Sequence, residues 1–296
     1  MTARYKNASD LRRALDDRLK QQAAATGHDV NRLRRMVVFD RLATRLAADD
    51  PGRWILKGGA VLEFRLHGKA RMTKDLDFAA RLAQPTGPEV RDLLIEALAR
   101  DHDGDTFTFR VGPPTDLADD ADGRSAWRFT AEAWLAGRVF SIIRVDVAAR
   151  SEELAGTEQL PLPNTLAFAG MPEHSIEAVD RRQHFAEKLH AYTREYGGRP
   201  NTRVKDLIDL VLLIENGLAP DPTLAETVRH VFAIRRTHPV PTEIPDAPPA
   251  WSADYPALAY GVTAAEPDLA TALGILRLYW ADVSKFNSAE EPGPGK

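Results

Sequence analysis

WILKGGAVLEFRLHGKARMTKDLDFA, residues 54–79, is the stretch around which the rest of the chain is organised. Trp54, Ile55 and Leu56 are apolar and β-favouring, and Gly58-Gly59 breaks their pattern. Ala60 to Leu66 then suits about two turns of helix before Gly68 ends it. A strand that stops in glycines and opens a helix makes an anion site. The glycines let the backbone approach a phosphate, and the first helical N–H groups have no intrahelical partner. Thr73-Lys74-Asp75-Leu76-Asp77 begins a second strand, whose side-chain period of two sends Asp75 and Asp77 to one face. Two carboxylates on a rigid face beside a phosphate cradle suit a hard divalent cation such as Mg²⁺ or Mn²⁺.

The chain has 296 residues, enough for two domains, with 44% hydrophobic and 28% charged residues as in a globular protein with a sizeable core. Its net charge of −4 excludes a global polyanion-binding character, so any nucleic acid has to meet a local basic patch. There is no cysteine, which rules out disulfides and thiol nucleophiles and fits a reducing, cytoplasmic setting. The N-terminal segment is charged throughout, unlike a signal peptide, and no window has the roughly 18 apolar residues of a spanning helix.

Two helices are expected over residues 8–25, capped by Ser9 or Asp10, and 29–49. Residues 1–57 hold 13 Lys+Arg against 7 Asp+Glu; the arginines Arg32, Arg34, Arg35, Arg41 and Arg45 read either as a solvated face or as one that meets a polyanion. A helix follows over 89–100 and a short strand over 106–111. The run Asp116, Asp119, Asp120, Asp122 lacks the spacing of a calcium loop and reads as an exposed acidic hairpin. Strands over 125–134 and 138–148 are joined at Ala136-Gly137 as a hairpin. In the second, Phe140, Ile142, Arg144 and Asp146 share one face, and Val139, Ile143, Val145 and Val147 the other. An aspartate late in so apolar a strand requires a partner, which makes Asp146 the candidate third carboxylate.

The composition changes past Pro163. Helices are expected over 176–194, 204–215, around 224–235 and about 267–285. The expected fold is thus α/β: a mixed sheet flanked by helices over residues 1–163, then a mostly helical domain over 164–296. From 181 to 205 there are seven Lys+Arg and two Asp+Glu. Lys188 stands on an otherwise apolar helix face, as a triphosphate contact or as an ion pair with Glu187 or Glu195. Asp206 and Asp209 suit the positive end of a helix dipole, while Asp206 is also placed to orient Lys188 or accept a proton.

A lone D-x-D is common on edge strands; the glycine turn about 17 residues upstream gives this one meaning. The eight histidines form no H-x-x-x-H or H-E-x-x-H set, and Walker A, G-x-G-x-x-G and G-x-S-x-G motifs are absent. Zinc hydrolase, common ATPase, dinucleotide and serine-hydrolase readings therefore fall away.

Taken together, K-G-G at 57–59, R-M-T-K-D-L-D-F at 71–78, E-K-L at 187–189 and R-V-K-D-L-I-D-L at 203–210 resemble the AbiEii/AbiGii nucleotidyltransferase toxins, which include the mycobacterial MenT toxins. The resemblance runs over about residues 35–215, with the motifs in the family's order. It implies a nucleotidyltransferase-like domain followed by a helical one. It also implies an antitoxin encoded by an adjacent gene, and transfer of a nucleotide, often a pyrimidine from CTP or UTP, to the 3′ acceptor end of tRNA.

By the same resemblance Gly58 and Gly59 hold the nucleotide phosphates, Asp75 and Asp77 bind metal, Lys188 is the essential lysine, and Asp206 is the acidic residue of the last motif. Gly59 stands where many relatives have serine. Thr73 adds a hydroxyl beside the metal pair and is a candidate point of modification. A monomer is expected, bound to no membrane. The competing readings are nucleotidyl transfer to a protein or a small molecule, a metal-dependent nuclease, and a binding module without catalysis.

Overall fold

The computed structural model describes residues 5, 7–117, 125–149, 151–198, 200–263 and 268–286. Asp119, Asp120 and Asp122 of the acidic run, Pro267 and the C-terminal tail lie outside these. Two helices open the chain, α1 (Ala8–Thr26) and α2 (Val30–Asp49). The cap of α1 is Asn7, two residues before Ser9 and three before Asp10: its side chain accepts from the Asp10 N–H at 2.9 Å.

The stretch 54–79 folds as its pattern dictates, into β1 (Trp54–Lys57), α3 (Gly58–Arg65) and β2 (Asp75–Ala80). Helix α4 (Gly87–Ala99) follows, opened by a reciprocal Thr86–Glu89 capping box. The meander is β3 (Thr108–Val111), β4 (Thr115–Asp116), β5 (Ala126–Leu135) and β6 (Arg138–Ala148). Ala136 (φ 52°) and Gly137 (φ 69°) turn the β5–β6 hairpin with both residues left-handed, the backbone such two-residue turns require.

Two short strands missed by the sequence pattern complete the sheet, β7 (Thr157–Pro161) and β8 (Ser175–Val179). The expected helix over 176–194 is therefore divided: β8 comes first, with Ile176 and Ala178 buried, and Asp180 then caps α5 (Arg181–Thr193). The order across the sheet is β3-β5-β6-β2-β1-β8-β7, with β4 paired beside β5. Because β8 lies parallel to β1, the sheet reaches beyond the 163/164 division expected from composition.

Helices α6 (Val204–Glu215), α7 (Pro222–Arg235), α8 (Trp251–Ala259) and α9 (Leu269–Ser284) follow. Helix α8 escaped the sequence reading because of its prolines, although Trp251, Tyr255 and Ala259 mark one buried face. The architecture is thus a mixed sheet flanked by helices, with a helical C-terminal part. The buried apolar residues form two clusters, one joining α1, α2 and α4 to the sheet, the other within α5–α9. Leu62 and Ala70, from α3 and the loop after it, belong to the second cluster and stitch the two together.

Two expectations for side-chain faces change. Arg41 and Arg45 are buried at 1% and 2% exposure, so α2 presents them neither to water nor to a polyanion. Arg41 meets Asp40, Asp103 and Asp105, and Arg45 donates to Asp105 and to the Leu98 and Phe107 carbonyls. In β6, a bulge lets Trp134 pair with Val139 while Ala133 pairs with Ser141, leaving Phe140 as the extra residue. Phe140 consequently turns into the core against Phe107, and Val139 is exposed.

Candidate active site

β2 lies between β1 and β6, and its register lines up the acidic residues. Asp77 is opposite Lys57 on β1 and opposite Asp146 on β6, and Asp75 is opposite Arg144. The loop that delivers β2 is pinned from α2: Arg32 bonds Glu63 at 3.0 and 3.1 Å and donates to the Gly68 and Ala70 carbonyls, while Glu63 also accepts from the Thr73 N–H. Thr73, nearly buried, donates its hydroxyl to the Asp75 carbonyl at 3.1 Å.

Gly58 adopts φ +68°, and the Asp77 carboxylate fills the space where a side chain at 58 would begin. Only glycine satisfies both conditions. At Gly59 a Cβ would come to 3.1 Å from Thr73 Oγ1, so the threonine crowds the space that a side chain at 59 would need.

Burial, with Asp146 and Asp75 adding repulsion, pushes the Asp77 carboxyl up to about 6, against the pull of Lys188 and Lys57. Asp75 keeps one buried oxygen, Oδ1, without a hydrogen-bond partner. Asp146 is differently placed: Arg128 holds both its oxygens, at 2.8 and 2.7 Å. This is the partner that its position in the strand demanded. A buried acceptor unmatched by any protein donor, Asp75 Oδ1, beside the Asp77 carboxylate suits a cation there, whereas both oxygens of Asp146 already accept from Arg128.

Helix α5 brings Lys188 across from the sheet. Its ammonium donates to Asp206 Oδ1 at 2.8 Å and lies 2.8 Å from Asp209 Oδ2. Asp206 is thus placed to orient Lys188, as considered from sequence, and with Asp209 it takes the place of Glu187 and Glu195. Burial works against the charge on Lys188, but Asp206 and Asp209 outweigh it and raise its pKa above the ordinary value. Asp209, which sequence reasoning treated as a helix-dipole residue, is the hub. Arg71 bonds it bidentately at 2.7 and 2.6 Å, and Lys188 and Arg71 bring its carboxyl down to about 2 despite burial. Arg71 belongs to the loop before β2, so this hub ties α6 to the strand that carries Asp75 and Asp77. Asp206 Oδ2 is buried without a hydrogen-bond partner.

Further cations missed from sequence line the same space. Lys57 bonds Glu187 at 3.1 Å, and Arg235 bonds Glu153 at 3.0 Å through both nitrogens. A cleft of about 380 Å³ is lined by Lys57, Gly58, Asp77, Asp146, Lys188, Arg203, Asp206 and Arg235, within the size range of small-molecule sites. Gly58, Asp77, Asp146, Lys188 and Asp206 thus meet in one cleft. Asp75 lies on its rim strand, and Gly59 and Thr73 pack behind Gly58. Among the described residues no helix is long and apolar enough to cross a membrane.

The family profile described as "Nucleotidyl transferase AbiEii toxin, Type IV TA system" matches residues 41–282. Among solved structures, MenT4, a nucleotidyltransferase toxin from Mycobacterium tuberculosis H37Rv, is similar in fold with a TM-score of 0.57 and 21% identity; the match covers 91% of this chain and 89% of that one. A putative nucleotidyltransferase from H. pylori matches at a TM-score of 0.44 and 14% identity, covering 87% of this chain and 97% of that one. No protein of curated function matches the sequence.

Proposed function

The chain belongs to the AbiEii family of nucleotidyltransferase toxins, and from that premise we propose that it transfers a nucleotide from an NTP, CTP or UTP by preference, to the 3′ acceptor end of tRNA. The acceptor end would then no longer be aminoacylated, and translation would stop. As a toxin-antitoxin family member it is paired with an antitoxin, the product of an adjacent gene in this reading.

The observation that carries the proposal is the convergence of the Asp75–Asp77 strand, the Gly58 turn and Lys188 on one cleft, although they come from two separately packed clusters. In this reading Gly58 and the first N–H groups of α3 receive phosphate oxygens. Two of the three N–H donors of Lys188 are used by Asp206 and Asp209, which leaves the third for the triphosphate. Asp206 aims the lysine, and its Oδ2 is the acceptor left for a proton. Asp75 and Asp77 would hold Mg²⁺ or Mn²⁺, which supplies charge neutralisation at the phosphates.

The test is to incubate the purified protein with each labelled NTP, total tRNA and Mg²⁺. Label on tRNA that is lost in Lys188→Met supports the proposal, and RNA lengthening excludes a nuclease. Label on protein or a small molecule would redirect it, and no transfer to any RNA would overturn it.

A further inference from the structure

The two faces of the sheet are unequally covered. Residues 129, 131 and 133 of β5 and 143, 145 and 147 of β6 are buried beneath the N-terminal helices. The opposite face of β3, β5 and β6 is open. Ile142 is 53% and Val139 39% exposed, and the Arg144 side chain is 59% exposed. Register places these residues in rows that begin at the candidate metal pair. One row runs Asp77, Asp146, Arg128, and the next Asp75, Arg144, Thr130. Beyond them lie Ile142, Glu132 and Arg110. Among the described residues Arg144 meets only Asp75, at 3.9 Å, and Arg110 lies 4.2 Å above the Trp134 ring, held there by no carboxylate.

In-line displacement at phosphorus puts the attacking oxygen and the leaving group on opposite sides. The phosphate-holding candidates, Gly58, Lys57 and Lys188, are on the cleft side of Asp77. The attacking end must then reach the metal pair from the other side, along the open sheet. The side chains there suit a polynucleotide. Arg128 and Asp146 neutralise each other, and with a cation on Asp75 and Asp77 in the proposed reaction Arg144 would be released from Asp75, so that Arg110 and Arg144 outweigh Glu132. Between them Ile142 and the Trp134–Arg110 pair offer flat apolar surface to bases.

We propose that this open face of β3, β5 and β6 is the track for the acceptor RNA strand, with Arg110 and Arg144 on its phosphates and Ile142 and Trp134 beneath its bases. The inference rests on the proposed transfer to RNA, and deepens it by naming the surface that carries the acceptor.

The test uses the full chain and a fluorescent RNA hairpin with a single-stranded 3′ end, in anisotropy titrations over a range of salt. Arg110→Glu and Ile142→Glu change exposed side chains away from the metal pair, and their thermal melts serve as the folding control. Each should weaken RNA binding about tenfold at physiological salt, and Arg110→Glu should also flatten the salt dependence. In the transfer assay both should raise KM for RNA and leave KM for NTP unchanged. Transfer by the wild type with an unaltered KM for RNA in both variants would overturn the track and spare the proposed function. Weakened RNA binding by the variants, with no transfer to any RNA by the wild type, would support the track and overturn the function. If the variants lose a co-expressed antitoxin but bind RNA normally, the face belongs to a protein partner and the inference fails.

Discussion

The Asp77 carboxylate occupies the volume in which a side chain on residue 58 would begin, so the candidate metal ligand is seated directly on the glycine of the phosphate turn. Gly58→Ala would have to move Asp77 and also hold alanine at φ +68°, a conformation that costs about 1–2 kcal/mol. Displacements of about 1 Å near reacting groups cost on the order of 100-fold. Gly58→Ala should therefore lower kcat for transfer by about 100-fold while the fold persists, as measured by steady-state kinetics beside circular dichroism.

Asp77→Asn separates catalysis from folding. The folded-state pKa of Asp77 is raised to about 6 from 3.8, so the folded chain binds this proton more tightly than the unfolded chain does. Stability consequently falls as pH rises from about 4 to about 6. Asparagine, which carries no charge, should relieve a burden on the order of 3 kcal/mol above pH 6. Transfer should drop by roughly 10³-fold. Thermal melts at pH 4.5 and 7.5 check the first part: the gain is larger at the higher pH.

Asp209 satisfies two buried cations at once, Arg71 and Lys188. Asp209→Ala removes the carboxylate that Arg71 bonds and leaves Lys188 with Asp206 alone, and should destabilise by about 3–5 kcal/mol. Asp209→Asn should retain more stability yet impair transfer, because Lys188 loses one of its two anchors. Chemical denaturation curves, read alongside NTP kinetics, distinguish the two variants.

His190 supplies a pH dependence remote from the carboxylates. Burial, followed by Arg235 and His238, lowers its pKa to about 3 from 6.5. Arg235 donates to its Nδ1 at 3.3 Å, and Nε2 faces the Thr237 hydroxyl at 2.7 Å, which suits a neutral ring. Below about pH 6.5 the unfolded chain gains a proton that the folded chain refuses, so this contribution is complete above pH 6.5 and is lost as pH falls toward 3. Urea denaturation at pH 7 and pH 4 should show the wild type losing roughly 2–4 kcal/mol more than His190→Gln over that interval.

Local pattern made the floor of the site readable. Glycines after an apolar strand, and aspartates two apart, reveal themselves within a few residues, and β1, α3 and β2 form where that pattern puts them. Lys188 on an apolar helix face and Asp206 at a helix start were local cues, and the motif order joined them. The Arg71–Asp209 pair was hidden because it is long-range: the two residues are 138 positions apart, and each alone resembles an ordinary surface charge. Strand β8 was concealed differently. Ile-Glu-Ala-Val is compatible with a helix and runs on toward α5 without a glycine or proline, so only pairing with β1 and β7 decides its state. The buried arginines of α2 defeat any charge count, since the carboxylates that neutralise them arrive from residues 101–105.

One residue, Asp180, separates the last sheet strand from the helix that carries Lys188. It caps that helix, accepting from Gln183 N–H at 2.7 Å, and its carboxylate packs so closely on Gly156 that no side chain fits there. Nothing in this connection can act as an elastic tether. The spacing between phosphate turn and lysine is set when the polypeptide folds, in the manner of a caliper locked at one opening. In the proposed reaction the nucleotide would meet an aperture whose width this one-residue connection sets.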